Sequence, residues 1–292
     1  MRFVKPLTIA LMLTATPLAF AVTPADKYPE SQLYSKPVKV AENIYSAIGQ
    51  LKFYTYENAG HNNNLSYVIG EDAVLVVNGS SSYQLSKALH DEIKQVTSLP
   101  VKWVVDENGQ SHASLGNSYW KEQGATIIAH KDAAKEVETH GFSGLNSLKE
   151  ILKERAEGTK IIPFDEVFED EMELDLGGLT AKLVHLGPAH SAGDISVIIP
   201  ERNVIIAGDI AFHQRMLPIV PGHGDPTNFV EVDKYTRGYL EYLRGKVQEI
   251  LDEGGSLSDA YEIDQTPYMH LETADELAGK NAGRIFEAME WE

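Results

Sequence analysis

Cysteine is absent from the 292 residues of this chain. A chain without thiols cannot form disulfides, hold an iron–sulfur cluster or use a cysteine nucleophile. The absence also suits export to an oxidising compartment, where a stray thiol is a liability. Cysteine-based catalysis and a disulfide scaffold are therefore excluded.

Positive charge is scarce. The chain has 25 Lys and Arg against 43 Asp and Glu, and its formal net charge is −18. A surface of this sign repels nucleic-acid phosphates and anionic lipids, and no basic stripe offsets it. We therefore expect no nucleic-acid partner.

An apolar run long enough to span a membrane is lacking as well. The first residues place Arg2 and Lys5 before a short apolar run that ends in Ala-Phe-Ala. This order of basic, apolar and small residues is typical of a secretory signal peptide. It predicts a signal peptide over residues 1–21 and a mature chain that begins near Val22. The mature protein would be periplasmic or secreted, without membrane insertion after cleavage.

Hydrophobic alternation predicts paired strands in both halves of the chain. Three stretches read as hairpins: LSYVIGEDAVLVVNG, MELDLGGLTAKLVHLG and DISVIIPERNVIIAGD. Further strands are expected in NIYSAIG, LKFYTYE, VKWVVD and ATIIAH. Because hairpins stand beside strands that lead into helices, mixed sheets are expected rather than a purely parallel one.

Helical spacing of apolar residues predicts the outer layers. Leu85, Leu89, Ile93 and Val96 repeat at helical intervals behind a run of serines, which are good N-caps. Other helices are expected in SYWKEQG, KDAAKEVETHG, GFSGLNSLKEILKERAEG, TNFVEVDKYTRGYLEYLRGKVQEILDEG and LETADELAGKNAGRIFEAME. The predicted fold class is an α+β, αββα sandwich: two mixed sheets packed face to face with helices outside. Residues 22–42 are expected to be an extended lead-in, and residues 43–292 a single domain.

Three stretches carry side chains suited to metal chemistry. They are HLGPAHSAGD, NVIIAGD and VPGHGDP, which contain His190 in a loop, Asp209 at the predicted end of an apolar strand, and His223 between glycines. A lone loop histidine is usually solvated, and an aspartate after a strand is often a turn former. All three in this order, after paired hairpins, are much less expected by chance.

With these stretches the chain resembles the metallo-β-lactamase-fold hydrolases over nearly all of its mature length. The resemblance implies an active site at one edge between the sheets. It implies that His190 is a ligand of a first metal, Asp209 a carboxylate bridging two metals, and His223 a ligand of the second. It also implies that a hydroxide activated between the metals attacks a carbonyl or phosphoryl centre.

The loop ENGQSHASLGN, residues 107–117, stands where this family normally has HxHxDH. Aligning its Gly-Asn end with the family places Asn108 and Gln110 at the first two histidines. His112 then falls at the aspartate and Ala113 at the last histidine.

A second alignment, with one extra residue, places His112 at the last histidine and Ser111 at the aspartate. Glu107 and Gly109 then fall on the first pair. We favour this alignment because it keeps a metal-binding side chain at a ligand position. In both alignments the His-x-His pair is lost, and amide oxygens are weak zinc ligands.

The residues that remain predict a mononuclear site. His112, Asp209 and His223 supply two imidazoles and a carboxylate, which suit one divalent metal: zinc first, with Fe(II) or manganese as alternatives. His190 is a further predicted ligand, and Asp209 and His112 are the predicted catalytic residues. The predicted substrate-contacting residues are Asn108, Gln110, His61 and His213.

Two other features depart from the family pattern. Asn78 stands where an aspartate is usual, so a residue that orients the ligands would be missing. Only 13 residues separate Asp209 from His223, so a wall of the site is expected to be absent or replaced.

Two functions from different classes follow. The first is an exported metal-dependent hydrolase of a small ester, lactone, lactam or thioester. The alternative is a metal-free or weakly metal-binding scaffold or binding protein that kept the fold and lost catalysis. The altered loop favours the scaffold, whereas the retained His190, Asp209 and His223 favour the hydrolase.

Overall fold

The computed structural model describes residues 32–212, 219–223, 229–271 and 273–291. The predicted signal peptide, the predicted mature N-terminus at Val22 and the candidate His213 lie outside these residues.

The first sheet has seven strands in chain order, β1 to β7. Pairings from β1 to β4 are antiparallel and those from β4 to β7 are parallel, so the sheet is mixed as expected. The strands are β1 (Val38–Ala41), β2 (Ile44–Ala47), β3 (Leu65–Ile69), β4 (Val74–Val77), β5 (Val101–Val105), β6 (Thr126–His130) and β7 (Glu166–Phe168).

The second sheet has five strands in the order β12-β11-β10-β9-β8. Its hairpins are antiparallel, whereas β12 runs parallel to β11, so this sheet is also mixed. The strands are β8 (Glu171–Asp175), β9 (Thr180–Val184), β10 (Ser196–Ile199), β11 (Val204–Phe212) and β12 (Ile219–His223).

The alternation along β4 illustrates how the layers pack. Leu75 and Val77 belong to an apolar cluster shared with β8 to β11 of the second sheet. Val74 and Val76 point the other way and pack against helices. Since successive side chains of a strand face opposite sides, one strand serves both the core between the sheets and the core under the helices.

The helices lie outside the sheets or in a separate C-terminal cluster. They are α1 (Tyr83–Val96), α2 (Ser111–Ser114), α3 (Asn117–Glu122), α4 (Lys131–Leu152), α5 (Phe229–Val232), α6 (Gly238–Asp252), α7 (Leu257–Tyr261) and α8 (Ala274–Met289). Ser82 caps α1 through a hydrogen bond from the Leu85 amide. Val247, Ala260, Phe286 and Met289 join α6, α7 and α8 in an apolar cluster.

Most predicted elements are present, and four differ. LKFYTYE is not a strand but an irregular, turn-containing segment, so this prediction was wrong. The end of the predicted lead-in forms β1. The two helical segments predicted around Gly141 are one helix, α4, because the backbone continues through this glycine. Pro221, Gly222 and His223 belong to the edge strand β12 rather than to a loop.

No helix in the described part of the chain is both long and apolar enough to cross a membrane.

The candidate site lies where one end of the first sheet meets β11 and β12. Asn78 follows β4 and Glu107 follows β5, and both are buried. The amide of Asn64, before β3, donates to the carbonyl of Gly222 in β12. This contact joins the two sheets beside Asp209 and His223.

Candidate metal centre

His112, Asp209 and His223 converge. One ligand atom from each lies within 4.8 Å of the others. His112 Nε2 is 3.3 Å from Asp209 Oδ2, and His223 Nε2 is 3.2 Å from Asp209 Oδ1. The two imidazoles thus face the two oxygens of one carboxylate.

Asp209 lies inside β11, which continues to Phe212, and not at a strand end as predicted. The preceding Gly208 has φ +61°, a left-handed conformation that favours glycine. The Asp209 side chain is fully buried. Its Oδ2 accepts a hydrogen bond from Asn108 Nδ2 at 3.1 Å, whereas its Oδ1 has no hydrogen-bond partner.

His112 is carried by the short helix α2, which follows β5 by five residues. Its Nε2 is 3.6 Å from Glu107 Oε1 as well as close to Asp209, yet it makes no hydrogen bond with either carboxylate. Burial lowers the pKa of His112, but the attraction of Asp209 and Glu107 outweighs it and raises the pKa to about 10. Without a metal, a proton on His112 would balance only one of these two carboxylates.

His223 is oriented by a backbone carbonyl. Its Nδ1 lies 2.5 Å from the oxygen of Asn62. A carbonyl only accepts, so Nδ1 carries the proton, and Nε2 of a neutral ring presents its lone pair toward Asp209. A histidine ligand in metalloproteins is commonly fixed in this manner, with its second nitrogen donating to a carbonyl or carboxylate.

Negative charge is concentrated around these residues. Burial raises the pKa of Asp106 to about 7, and burial also raises the pKa of Glu107 and of Asp194. For Asp209, burial raises the pKa, but His112 and His223 outweigh it and hold the pKa well below its usual range. A cation would relieve this concentration of buried carboxylates.

The donor set fits a divalent metal. Two ligands about 2.0–2.1 Å from a tetrahedral zinc lie about 3.3 Å apart. His112 Nε2 is 3.3 Å from Asp209 Oδ2 and His223 Nε2 is 3.2 Å from Asp209 Oδ1, so each histidine has this spacing from a different oxygen of the carboxylate. Asp209 Oδ1 and His112 Nε2 are buried without hydrogen-bond partners. Buried polar atoms are nearly always satisfied, so these two point to a bound cation.

His190 lies at the rim of this cluster. Its side chain is one-third exposed, and its Nε2 is 4.0 Å from Asp209 Oδ2. It is not one of the three residues whose ligand atoms converge. The structure therefore places this predicted ligand on the solvent side of Asp209.

The residues predicted to contact substrate have different surroundings. Asn108 is fully buried, and its amide donates to both Asp194 and Asp209 while its oxygen accepts from the Gln110 amide. It therefore holds two carboxylates and has no donor left for a substrate. Gln110 is half-buried at the start of α2.

His61, a predicted substrate-contacting residue, is fully buried. Its Nδ1 accepts from the Tyr34 amide at 2.9 Å, and its Nε2 lies 3.3 Å from the carbonyl of Ala47. Both nitrogens are bonded to the backbone, so neither is available to a ligand in this conformation.

Sequence reasoning missed three contributors to the site. Glu107 places a buried carboxylate beside His112, Asp194 accepts hydrogen bonds from Asn108 and Ser191, and the carbonyl of Asn62 orients His223. The favoured alignment did put Glu107 at a ligand position, and this was the available signal. The sequence alone cannot show which backbone carbonyl accepts the hydrogen bond of a histidine.

Asn78, which stands where the family usually has aspartate, has a structural role. Its Oδ1 accepts from the Glu107 amide at 3.1 Å, and its Nδ2 donates to the Asn64 carbonyl at 3.3 Å. It therefore fixes the backbone at the start of the 107–117 loop, although no carboxylate is present at this position.

A family model described as the metallo-beta-lactamase superfamily matches residues 112–263, just over half of the chain. The chain belongs to this superfamily. The match begins at His112, so Glu107, Asn108 and Gln110 lie outside it.

One solved structure supports the fold, and a second is a similar protein. A metallo-beta-lactamase from Pontibacter korlensis is 13% identical with a TM-score of 0.54, and the match covers 68% of this chain and 95% of that one. A metallo beta lactamase from Erythrobacter litoralis was solved with beta mercaptoethanol in the active site. It is 15% identical with a TM-score of 0.45, and the match covers 60% of this chain and 71% of that one.

Proposed function

We propose that the protein is an exported hydrolase that uses one divalent metal to cleave a small ester, lactone, lactam or thioester. The observation that carries this proposal is the convergence of His112, Asp209 and His223, in which His112 Nε2 and Asp209 Oδ1 are buried without hydrogen-bond partners. A metal-free scaffold would have no physical need for this arrangement, because burying unsatisfied polar atoms lowers stability.

His112 Nε2, His223 Nε2 and a carboxylate oxygen of Asp209 are the proposed ligands. A divalent metal in this place would supply Lewis acidity, polarising a substrate oxygen and lowering the pKa of a water. Zinc is the first expectation for this ligand set, with Fe(II) or manganese as alternatives.

The protein groups around the ligands have separate roles in the proposal. Asn108 holds Asp209 and Asp194 in place through its two amide hydrogens. His190 stands on the solvent side, where an entering substrate would meet it. We assign it the task of contacting the substrate and carrying a proton to the leaving group, for which an imidazole is suited near neutral pH.

The test is metal-dependent hydrolysis. Metal-free protein is supplied with zinc, manganese or Fe(II) under anaerobic conditions and offered a panel of one ester, one lactone, one lactam and one thioester. We expect metal to restore hydrolysis of at least one compound in the wild type and not in Asp209→Asn. The matched control is Asp233→Asn, which removes a half-buried carboxylate that pairs with Arg237 and is none of the three ligands.

Two results would contradict the proposal in different ways. Metal binding without hydrolysis of any panel member would remove the assigned reaction class. Failure to bind any of the three metals would favour the alternative, a scaffold or binding protein that kept the fold and lost catalysis.

A further inference from the structure

Glu107 differs from the other buried carboxylates of the described residues. Asp106, Asp194 and Asp209 each accept at least one hydrogen bond from an amide or hydroxyl. Glu107 is 1% exposed, and neither of its carboxylate oxygens has a hydrogen-bond partner. Burying a carboxylate without hydrogen-bond donors destabilises the folded protein, so we expect the buried carboxylate of Glu107 to have a functional role.

The backbone directs this side chain toward the metal centre. The Glu107 amide donates to Asn78 Oδ1, and its carbonyl accepts from the Ile195 amide at 2.8 Å. Its Oε1 lies 3.6 Å from His112 Nε2. A Cβ on Gly208 would come within 2.4 Å of its Oε2, so the glycine before Asp209 provides the space for this carboxylate.

His112 alone does not balance the charges. It faces Asp209 and Glu107 at 3.3 and 3.6 Å without a hydrogen bond to either. Replacing one proton by a divalent cation would neutralise both carboxylates. Glu107 is not one of the three residues whose ligand atoms converge, but its buried Oε1 lies 3.6 Å from the ligand atom of His112, where it could serve such a cation as a fourth donor.

We propose that Glu107 is a fourth protein ligand of this metal site, an inference that rests on the proposed metal-dependent function. The donor set would then be two imidazoles and two carboxylates. Carboxylates suit harder metals, so we infer that Glu107 raises the affinity for Mn(II) more than that for Zn(II).

The experiment titrates metal-free wild type, Glu107→Gln, Glu107→Asp and Glu136→Gln with Mn(II) and with Zn(II) by calorimetry. Co(II) absorption spectra report the coordination of each variant. Glu136 is the matched control, because this neighbouring half-buried carboxylate of α4 hydrogen-bonds to the backbone of Gly109. Glu107→Asp keeps the charge but withdraws the oxygens by one methylene.

We expect Glu107→Gln and Glu107→Asp to bind Mn(II) at least about 10-fold more weakly and to change the Co(II) spectrum, since losing even an indirect partner of a metal costs about that much. Glu136→Gln should keep the wild-type affinity and spectrum. Thermal melting of metal-free Glu107→Gln checks that this variant is folded.

The failures are distinguishable. Wild-type affinity and spectrum in Glu107→Gln would overturn the ligand assignment and leave the proposed function standing. Wild-type affinity in Glu107→Asp alone would show that only the charge acts, which also overturns it. Equal losses for Mn(II) and Zn(II) would overturn the metal preference. A wild type that binds no metal would overturn both this inference and the proposed function.

Discussion

Asn108 occupies the space between two carboxylates, and its amide keeps them apart. Nδ2 donates to Asp194 at 3.2 Å and to Asp209 at 3.1 Å. We expect Asn108→Ala to lower the free energy of unfolding of the metal-free protein by about 1–3 kcal/mol, because buried acceptors lose their donor. Chemical denaturation measures this loss.

The control for that measurement is Gln110→Ala, two residues along the same loop and half-buried. Its effect should stay within about 0.5 kcal/mol, as for most substitutions away from a buried network. Equal stability of Asn108→Ala and the wild type would show that the two hydrogen bonds do not matter for folding.

His61 makes the fold sensitive to acid. Burial lowers its pKa to about 4 from the usual 6.5. Its Nδ1 accepts a hydrogen bond from the Tyr34 amide. A proton on Nδ1 would therefore place two hydrogen-bond donors face to face and break this bond. The unfolded chain therefore binds more protons between pH 6.5 and 4, and the stabilising contribution present above pH 6.5 is lost as the pH falls.

The pH test compares the wild type with His61→Asn, whose amide oxygen can replace Nδ1 as the acceptor. The stability advantage of the wild type should shrink by about 3 kcal/mol between pH 7 and pH 4. The exposed His140, replaced by Asn, should leave the pH profile of the wild type unchanged. A constant difference between His61→Asn and the wild type would refute the assignment.

At the scale of elements, the 185–194 loop packs its glycine against the start of α4. A Cβ on Gly193 would lie 2.3 Å from the backbone nitrogen of Ala133. The backbones of the loop and of α4 cannot easily move apart to make room for this Cβ. Gly193→Ala should therefore destabilise the protein by about 1–3 kcal/mol, the range for overpacking. It should also displace Asp194, the partner of Asn108. Thermal melting checks the first effect.

Gly245 is the matched control in α6, because a Cβ there meets nothing within 4 Å. Gly245→Ala should stabilise the protein by about 0.5–1 kcal/mol, since alanine is the better helix former. If Gly193→Ala were as stable as Gly245→Ala, the close packing of the loop on α4 would be wrong.

The elements that could be predicted are those whose pattern is local. Alternation identified the hairpins of β3–β4, β8–β9 and β10–β11, and helical spacing identified α1. LKFYTYE failed because aromatic, β-forming residues cannot make a strand without a neighbour to pair with. The continuity of α4 through Gly141 depends on packing, which sequence propensity does not include.

The site was predictable only in part, because some of its contacts are not local in the sequence. His112, Asp209 and His223 are metal-binding side chains in the order that the family shows, so they could be selected from the sequence although the spacing of Asp209 and His223 departs from the family pattern. The role of Asn108 depends on where Asp194 and Asp209 come to lie across the fold. Such contacts between distant segments appear only in three dimensions.

At the scale of the whole molecule, the fold and the −18 charge are compatible with an exported enzyme for small molecules. The basic, apolar and small-residue order of the first residues predicts removal of residues 1–21. Intact-mass measurement of protein from the native host should give a mature N-terminus at or near Val22. Retention of Met1 in that protein would contradict export by this signal.

The central claim is that His112, Asp209 and His223 together hold one divalent cation. The most direct measurement is metal content and equilibrium affinity of protein purified without chelator, for the wild type, His112→Ala and Asp209→Asn. We predict at most one tightly held metal per chain and an affinity about 10–100-fold weaker, or more, in both variants. His140→Ala, which removes an exposed imidazole, should bind as the wild type does. Two stoichiometric metals, or equal affinity in the wild type and His112→Ala for zinc, iron and manganese, would contradict the account.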